Sequence, residues 1–235
     1  MANPSLPLVR LTGLTKKFGA VSAVRNLNFQ IHRGDFVAIF GPNGAGKTTL
    51  LKMVAGLTSP TSGEVKFEGD RSARARAETG YVSHQTLLYN ELTGRENLLF
   101  YARLYGLDGG ADLADSMLSR VGLAEARNLM VRGFSRGMKQ RLTLGRALLH
   151  EPRLLLLDEP YTGLDQHGSR LLTRLLGTLR AEGRTVLMIT HNLAEGLELS
   201  TRVMILHRGK LAHQARQEEL TRSALENLYF EIVER

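Results

Sequence analysis

Three features of the sequence predict an α/β fold: a mainly parallel sheet covered by helices on both faces and interrupted by a helical insertion. Short, largely apolar runs at Phe36 to Phe40, Leu154 to Leu157 and Thr185 to Ile189 have strand length. They lack the alternation of a half-solvated sheet, so both of their faces are expected to be buried. Helical stretches lie between them, and the region from Tyr89 to His150 reads as helix almost throughout. A glycine-rich segment links the first apolar run to the helix after it, which is strand, loop, helix.

The elements follow in order along the chain. Leu27, Phe29 and Ile31 alternate with Asn28 and Gln30 as in a half-buried strand, and His32-Arg33-Gly34-Asp35 turns the chain into Phe36 to Phe40. Lys47 to Ala55 favours helix, Gly56 is a natural stop, and Pro60 to Gly63 makes a turn. Thr93 and Glu96 have the spacing of a capping box, with Leu98, Tyr101, Leu104 and Tyr105 at helical intervals behind it. Further helices are expected at about Ala111 to Val121, Met138 to Leu149 and Arg170 to Ala181. Val203 to Leu206 and Leu211 to His213, joined at Arg208-Gly209-Lys210, form a hairpin. Leu225, Leu228, Tyr229 and Ile232 fall on one face of a short final helix.

Composition removes several classes of function. The 235 residues include no cysteine, which excludes a disulfide scaffold, a zinc knuckle and a thiol nucleophile. No apolar run approaches the roughly 20 residues that span a bilayer. The N-terminus lacks the basic start and apolar centre of a secretory signal, so the chain is expected to stay where it is made. With 31 Lys and Arg against 23 Asp and Glu the net charge is +8, which suits nucleic acid, an anionic membrane surface or an anionic ligand without choosing among them. The densest basic group, Arg71, Arg74 and Arg76, reads as a solvated loop.

Chemistry concentrates in two segments. Gly41-Pro42-Asn43-Gly44-Ala45-Gly46-Lys47-Thr48, followed by Thr49, fits the pattern G-x-x-x-x-G-K-S/T. In that pattern backbone N–H groups surround phosphates and the next helix aims its positive end at them. Lys47 would neutralise the β- and γ-phosphates, and the Thr48 hydroxyl would ligate magnesium. Leu154 to Leu157 then leads into Asp158-Glu159-Pro160, a buried strand ending in two carboxylates. Asp158 is placed to hold Mg²⁺ through its water shell, and Glu159 to polarise an attacking water. His191 follows Thr190 after the next apolar strand, within reach of a γ-phosphate.

In order, the P-loop, Tyr81-Val82-Ser83-His84-Gln85, Phe134-Ser135-Arg136-Gly137-Met138-Lys139-Gln140-Arg141, Leu154 to Pro160, Thr162-Gly163-Leu164-Asp165 and Thr190-His191 resemble the motifs of an ATP-binding cassette (ABC) ATPase. The resemblance runs from about Leu8 to Lys210. It implies a P-loop NTPase core with an N-terminal antiparallel β subdomain. Its expected parts are a RecA-like core at about 1–88 and 150–215, a helical subdomain at about 89–149 and a C-terminal helix at about 218–233. It also implies residue roles. Phe18 matches the aromatic that stacks on adenine, and Gln85 the glutamine that contacts Mg²⁺ and the attacking water. Ser135 and Gly137 match the signature motif that completes the opposite subunit's site. Asp165 matches the dimer-contact loop and His191 the switch histidine.

The signature departs from the usual Leu-Ser-Gly-Gly-Gln, reading Phe134-Ser135-Arg136-Gly137-Met138: Ser135 and Gly137 are kept, and Arg136 puts a long cation where the family often has no side chain. The wording Ser-Arg-Gly-Met-Lys-Gln-Arg resembles the exporter ATPases that include the haem exporter of cytochrome c maturation. The resemblance thus implies ATP and Mg²⁺ as cofactors and a homodimer or pseudo-dimer of ATPase subunits. It further implies an integral membrane permease as partner, a position on the cytoplasmic face of the membrane and no direct nucleic-acid contact. Haem is the expected cargo, with lipid, polysaccharide or drug as alternatives. A soluble ABC ATPase acting on nucleic acid or the ribosome is the rival; those usually resemble two cassettes in one chain or one split by a coiled coil. A P-loop kinase leaves the Ser135 and Asp165 motifs without a purpose. The segment Leu87-Leu88-Tyr89, just before the Thr93 cap, is expected to be a surface loop beside the permease's docking groove.

Overall fold

The computed structural model describes residues 6–68 and 77–234. Arg71, Arg74 and Arg76 lie outside the described residues.

Two sheets organise the chain. Strands β1 (Val9–Phe18), β2 (Val21–Ile31) and β4 (Ser62–Phe67) form an antiparallel sheet in the order β2-β1-β4. Strands β3 (Phe36–Phe40), β5 (Thr79–Val82), β6 (Leu154–Asp158), β7 (Thr185–Ile189), β8 (Arg202–His207) and β9 (Lys210–Arg216) form the second, in the order β5-β6-β7-β3-β8-β9. All its pairings are parallel except β8 with β9.

Every residue of β3, β6 and β7 is buried, as the uninterrupted apolar runs require. Alternate side chains of these strands enter different cores. Leu155, Leu157, Val186 and Met188 pack with the helical region, whereas Leu154, Leu156, Leu187 and Ile189 pack with the antiparallel sheet and α1 (Lys47–Val54). Because β6, β7 and β3 are neighbours, the sheet order sets Asp158, Ile189 and Phe40 side by side at their C-terminal ends. Open parallel sheets bind their ligands at that edge.

Between β5 and β6 stand α2 (Gly94–Leu104), α3 (Gly110–Arg120) and α4 (Arg136–Leu148). The capping box forms as read: Thr93 Oγ1 accepts from Glu96 N at 3.1 Å, and Glu96 Oε2 accepts from Thr93 N at 2.8 Å. Asn97, fully buried, ties down the preceding loop by accepting from Tyr89 N and donating to the Tyr89 and Thr93 carbonyls. Helices α5 (Gln166–Ala181), α6 (Leu193–Leu199) and α7 (Arg222–Val233) complete the chain. Among the described residues no helix is long and apolar enough to cross a membrane.

Several boundaries differ from expectation, each for a local reason. Helix α4 begins at Arg136 rather than Met138 because the Ser135 side chain caps it, and α5 begins at Gln166 rather than Arg170 because Asp165 caps it. The last helix starts at Arg222 behind a Thr221 cap, with the short turn Gln217–Glu219 before it. Strand β2 starts at Val21 rather than Leu27, since Asn26 at φ +47° breaks the alternation without ending the pairing.

Candidate functional site

The loop after β3 is built around two close approaches. A Cβ on Gly41 (φ +147°) would overlap the Leu206 carbonyl, and one on Gly46 (φ +97°) would overlap the Ala23 carbonyl. Only glycine therefore lets the loop fold between β2 and β8. Helix α1 starts at Lys47 with no side chain capping its N-terminus, so its positive end faces the loop. Lys47 is buried, and its Nζ donates to the carbonyls of Gly41 at 2.7 Å and Pro42 at 3.1 Å. Burial lowers its pKa, while Glu159 and Asp158 pull it back up.

Opposite this loop, the Thr48 hydroxyl donates to Asp158 Oδ1 at 3.1 Å. Asp158 ends β6 and is buried. The pair offers a hydroxyl and a carboxylate oxygen, ligands that suit a hard divalent cation. The described residues contain no cluster of three His, Asp or Glu able to cage a metal, so such a cation would take its other oxygens from phosphate and water.

Glu159 turns the chain away from the strand in the left-handed region, at φ +52°, a conformation uncommon outside glycine. Its N–H donates to the Ile189 carbonyl, and its carbonyl accepts from Thr162 N at 3.1 Å. Its carboxylate Oε1 stands 2.9 Å from His191 Nε2 yet is buried without a hydrogen bond to any described residue, the two groups being out of line. Burial raises the Glu159 pKa, against the attraction of His191 and Lys47.

A cleft of about 710 Å³ joins these groups, running from Phe18 and Val21 past the Asn43 to Thr49 segment to Asp158, Glu159 and His191. That volume suits a nucleotide-sized ligand. Phe18 is 55% exposed at its mouth, with the Lys16 ammonium 5.1 Å from its ring centre. Gly44, Ala45 and Thr49 line it too, while Gly41 and Pro42 lie behind as the acceptors of Lys47. His84 and Thr162 also border the cleft and were not anticipated; His84 was visible only as the residue before Gln85.

Four expected site residues stand elsewhere. Gln85 is exposed and lines a neighbouring groove of about 580 Å³, which shares Thr48, His84 and Asp158 with the cleft. Ser135 accepts from Met138 N at the start of α4, and Asp165 accepts from Gly168 N at the start of α5. Gly137 packs close to Gly168: a Cβ there would lie 3.5 Å from its Cα. None of these three lines this chain's own cleft.

Leu87 and Tyr89 are about half exposed, and Leu87 lines the groove with Leu57 and Tyr105. Leu88, by contrast, packs against the helical core.

The ABC transporter family model matches residues 24–162. The Nod factor export ATP-binding protein I of Rhizobium johnstonii is 38% identical over 218 residues, covering 90% of this chain and 70% of that protein. The bacitracin transport ATP-binding protein BcrA of Bacillus licheniformis is 37% identical over 230 residues, covering 96% and 75%. Among solved structures, a dimeric ATP-binding cassette in a post-hydrolysis state with ADP and Pi superposes at TM-score 0.79 with 28% identity, covering 89% of this chain and 98% of that one. With the family match spanning most of the chain and the P-loop, Asp158 and Glu159 around one cleft, the chain belongs to the ABC transporter family as an ATP-binding and ATP-hydrolysing subunit.

Proposed function

We propose that this chain powers a membrane exporter as one of two ATPase subunits that close on ATP and drive a separate integral membrane permease. The observation that carries the reading is a divided site: Lys47, Asp158 and Glu159 surround the cleft, while Ser135 and Gly137 start a helix outside it. Two copies facing head to tail would hold each ATP between the N-termini of α1 and α4, both of which attract phosphate. The dimeric cassette with ADP and Pi is the precedent among its relatives.

In this reading Phe18 stacks on the base, and the Asn43 to Thr49 segment surrounds the phosphates. Lys47 leaves the Gly41 and Pro42 carbonyls to meet the β- and γ-phosphates. Thr48 and Asp158 would hold Mg²⁺, which would supply charge neutralisation at the phosphates. Glu159 takes the proton of the attacking water, its basicity raised by burial. His191, whose Nε2 lies 2.9 Å from that carboxylate, faces the terminal phosphate. Gln85 lies between the cleft and the groove, Asp165 holds the loop that meets the second subunit, and the permease docks in the groove beside Leu87 and Tyr89. The groove has apolar walls, and a buried Arg146 Nε with no hydrogen-bond partner among the described residues borders it. The chain then sits peripherally on the cytoplasmic face of the membrane, without nucleic acid.

Export is favoured by relatives named for Nod factor export and bacitracin transport. Haem is the cargo we assign, on the Ser-Arg-Gly-Met-Lys-Gln-Arg wording; the cargoes of the named relatives are the alternatives. Affinity purification of the tagged chain from membranes, with the partner identified and the complex placed in vesicles, tests both levels. An integral membrane protein should co-purify, and haem should stimulate ATP hydrolysis. Stimulation by another cargo corrects the cargo alone, whereas co-purification of ribosomes or nucleic acid in place of a membrane protein overturns the export reading.

A further inference from the structure

Arg136, the cation in the departed signature Phe134-Ser135-Arg136-Gly137-Met138, has a definite place in the fold. A Cβ added at Gly163 (φ +72°) would overlap the Cζ, Nη1 and Nε atoms of Arg136, so the guanidinium fills the space that a side chain at Gly163 would occupy. The Arg136 guanidinium has no hydrogen bond or ion pair with another described residue. Its position is therefore set by this packing. The two segments it joins also touch at their helix starts, where Gly137 faces Gly168. Gly163 follows Thr162, whose N–H donates to the Glu159 carbonyl. A continuous path thus runs from the first residue of α4, through Gly163 and Thr162, to the backbone of Glu159.

We infer that Arg136 is a positioning residue that clamps the Thr162–Asp165 loop to the start of α4, coupling the two ATP sites of the dimer. The inference rests on the head-to-tail reading above. There, α4 completes the opposite subunit's site while Glu159 serves this chain's own. Any shift of α4 on closing over one ATP is passed by the guanidinium to the turn that holds the other site's carboxylate. The clamp needs a planar group covering the loop. A lysine keeps the charge but offers no flat face. A methyl group at Gly163 evicts the guanidinium while leaving Arg136 in the chain.

The test is steady-state ATP hydrolysis by the permease complex carrying Arg136→Ala, Arg136→Lys or Gly163→Ala, beside nucleotide titration of each isolated chain. Wild type should show a Hill coefficient approaching two, the limit for two sites, and each variant about one. kcat should fall about tenfold or more, as for a displaced catalytic group, with KM and monomer affinity little changed. The double variant Arg136→Ala with Gly163→Ala should be no worse than the poorer single one. Thermal melting close to wild type shows that the exposed Arg136 variants fold. Undiminished cooperativity in Arg136→Ala, or full rescue by Lys, overturns the clamp. A wild type that neither dimerises with ATP nor hydrolyses it cooperatively overturns the dimer reading instead.

Discussion

Glu159→Gln should make the nucleotide-free protein more stable at neutral pH while nearly abolishing its turnover. The carboxylate is 15% exposed, and its Oε1 is buried without a hydrogen bond to any described residue. Leaving a buried polar group unsatisfied costs about 1–3 kcal/mol, and more when it is charged. His191 and Lys47 offset part of that cost but do not cancel it, because the Glu159 pKa is raised overall. A net gain of about 1 kcal/mol on neutralisation corresponds to a rise of about 2–4 °C in Tm for a chain of this size. The sign with pH follows from linkage. A raised folded pKa means that the folded chain binds the proton more tightly than the unfolded one, so stability from Glu159 is lost as pH rises through that value. Wild type and variant should therefore melt together at about pH 4, near the ordinary carboxylate range, and diverge at neutral pH. Glutamine keeps the backbone preference at φ +52° unchanged, so the charge is the variable. Calorimetry across this pH range, with phosphate release as the activity assay, measures both. Loss of a general base predicts about 10²–10⁴ lower kcat. A variant that melts below wild type at neutral pH, or gains most in acid, refutes the reasoning.

Lys47→Ala should abolish hydrolysis and weaken ATP binding by about ten- to a hundredfold, since a charged hydrogen bond is worth about 1.5–3 kcal/mol; unchanged phosphate release would refute it. Phe18→Ala should weaken ATP by about tenfold, the scale of base stacking on an aromatic, with kcat at saturation retained. Fluorescent-nucleotide titration reads this. Leu87→Asp with Tyr89→Asp should detach the permease and leave nucleotide binding by the isolated chain nearly unchanged. Their exposure of 51% and 49% keeps the folding cost within about 1 kcal/mol, and full co-purification would place docking elsewhere.

The buried strands and the chemistry at their ends were legible because both have strong local signals. Phe36 to Phe40, Leu154 to Leu157 and Thr185 to Ile189 allow little but buried strand, and the Gly41 to Thr48 spacing leaves few other uses. Strand β1 was missed because its pairing shifts between Leu11 and Leu14 and again before Lys16, so no regular alternation survives. Strand β5 and helix α6 are too short for a period to show. The neighbouring of β6, β7 and β3 depends on long-range pairing, which residue patterns do not carry. The same holds for contacts across the site. That Glu159 faces His191 and that Arg136 covers Gly163 are decided by packing between segments distant in sequence. Leu88 shows the limit most plainly: it sits between two exposed residues and packs inward.

The central claim is that one chain carries two halves of different ATP sites. Light scattering on the Glu159→Gln chain after size exclusion tests it most directly, because this variant retains ATP once closed. The account predicts the 26.0 kDa mass of one chain without nucleotide or with ADP, and about twice that with Mg-ATP. A mass of 26.0 kDa at saturating Mg-ATP contradicts it.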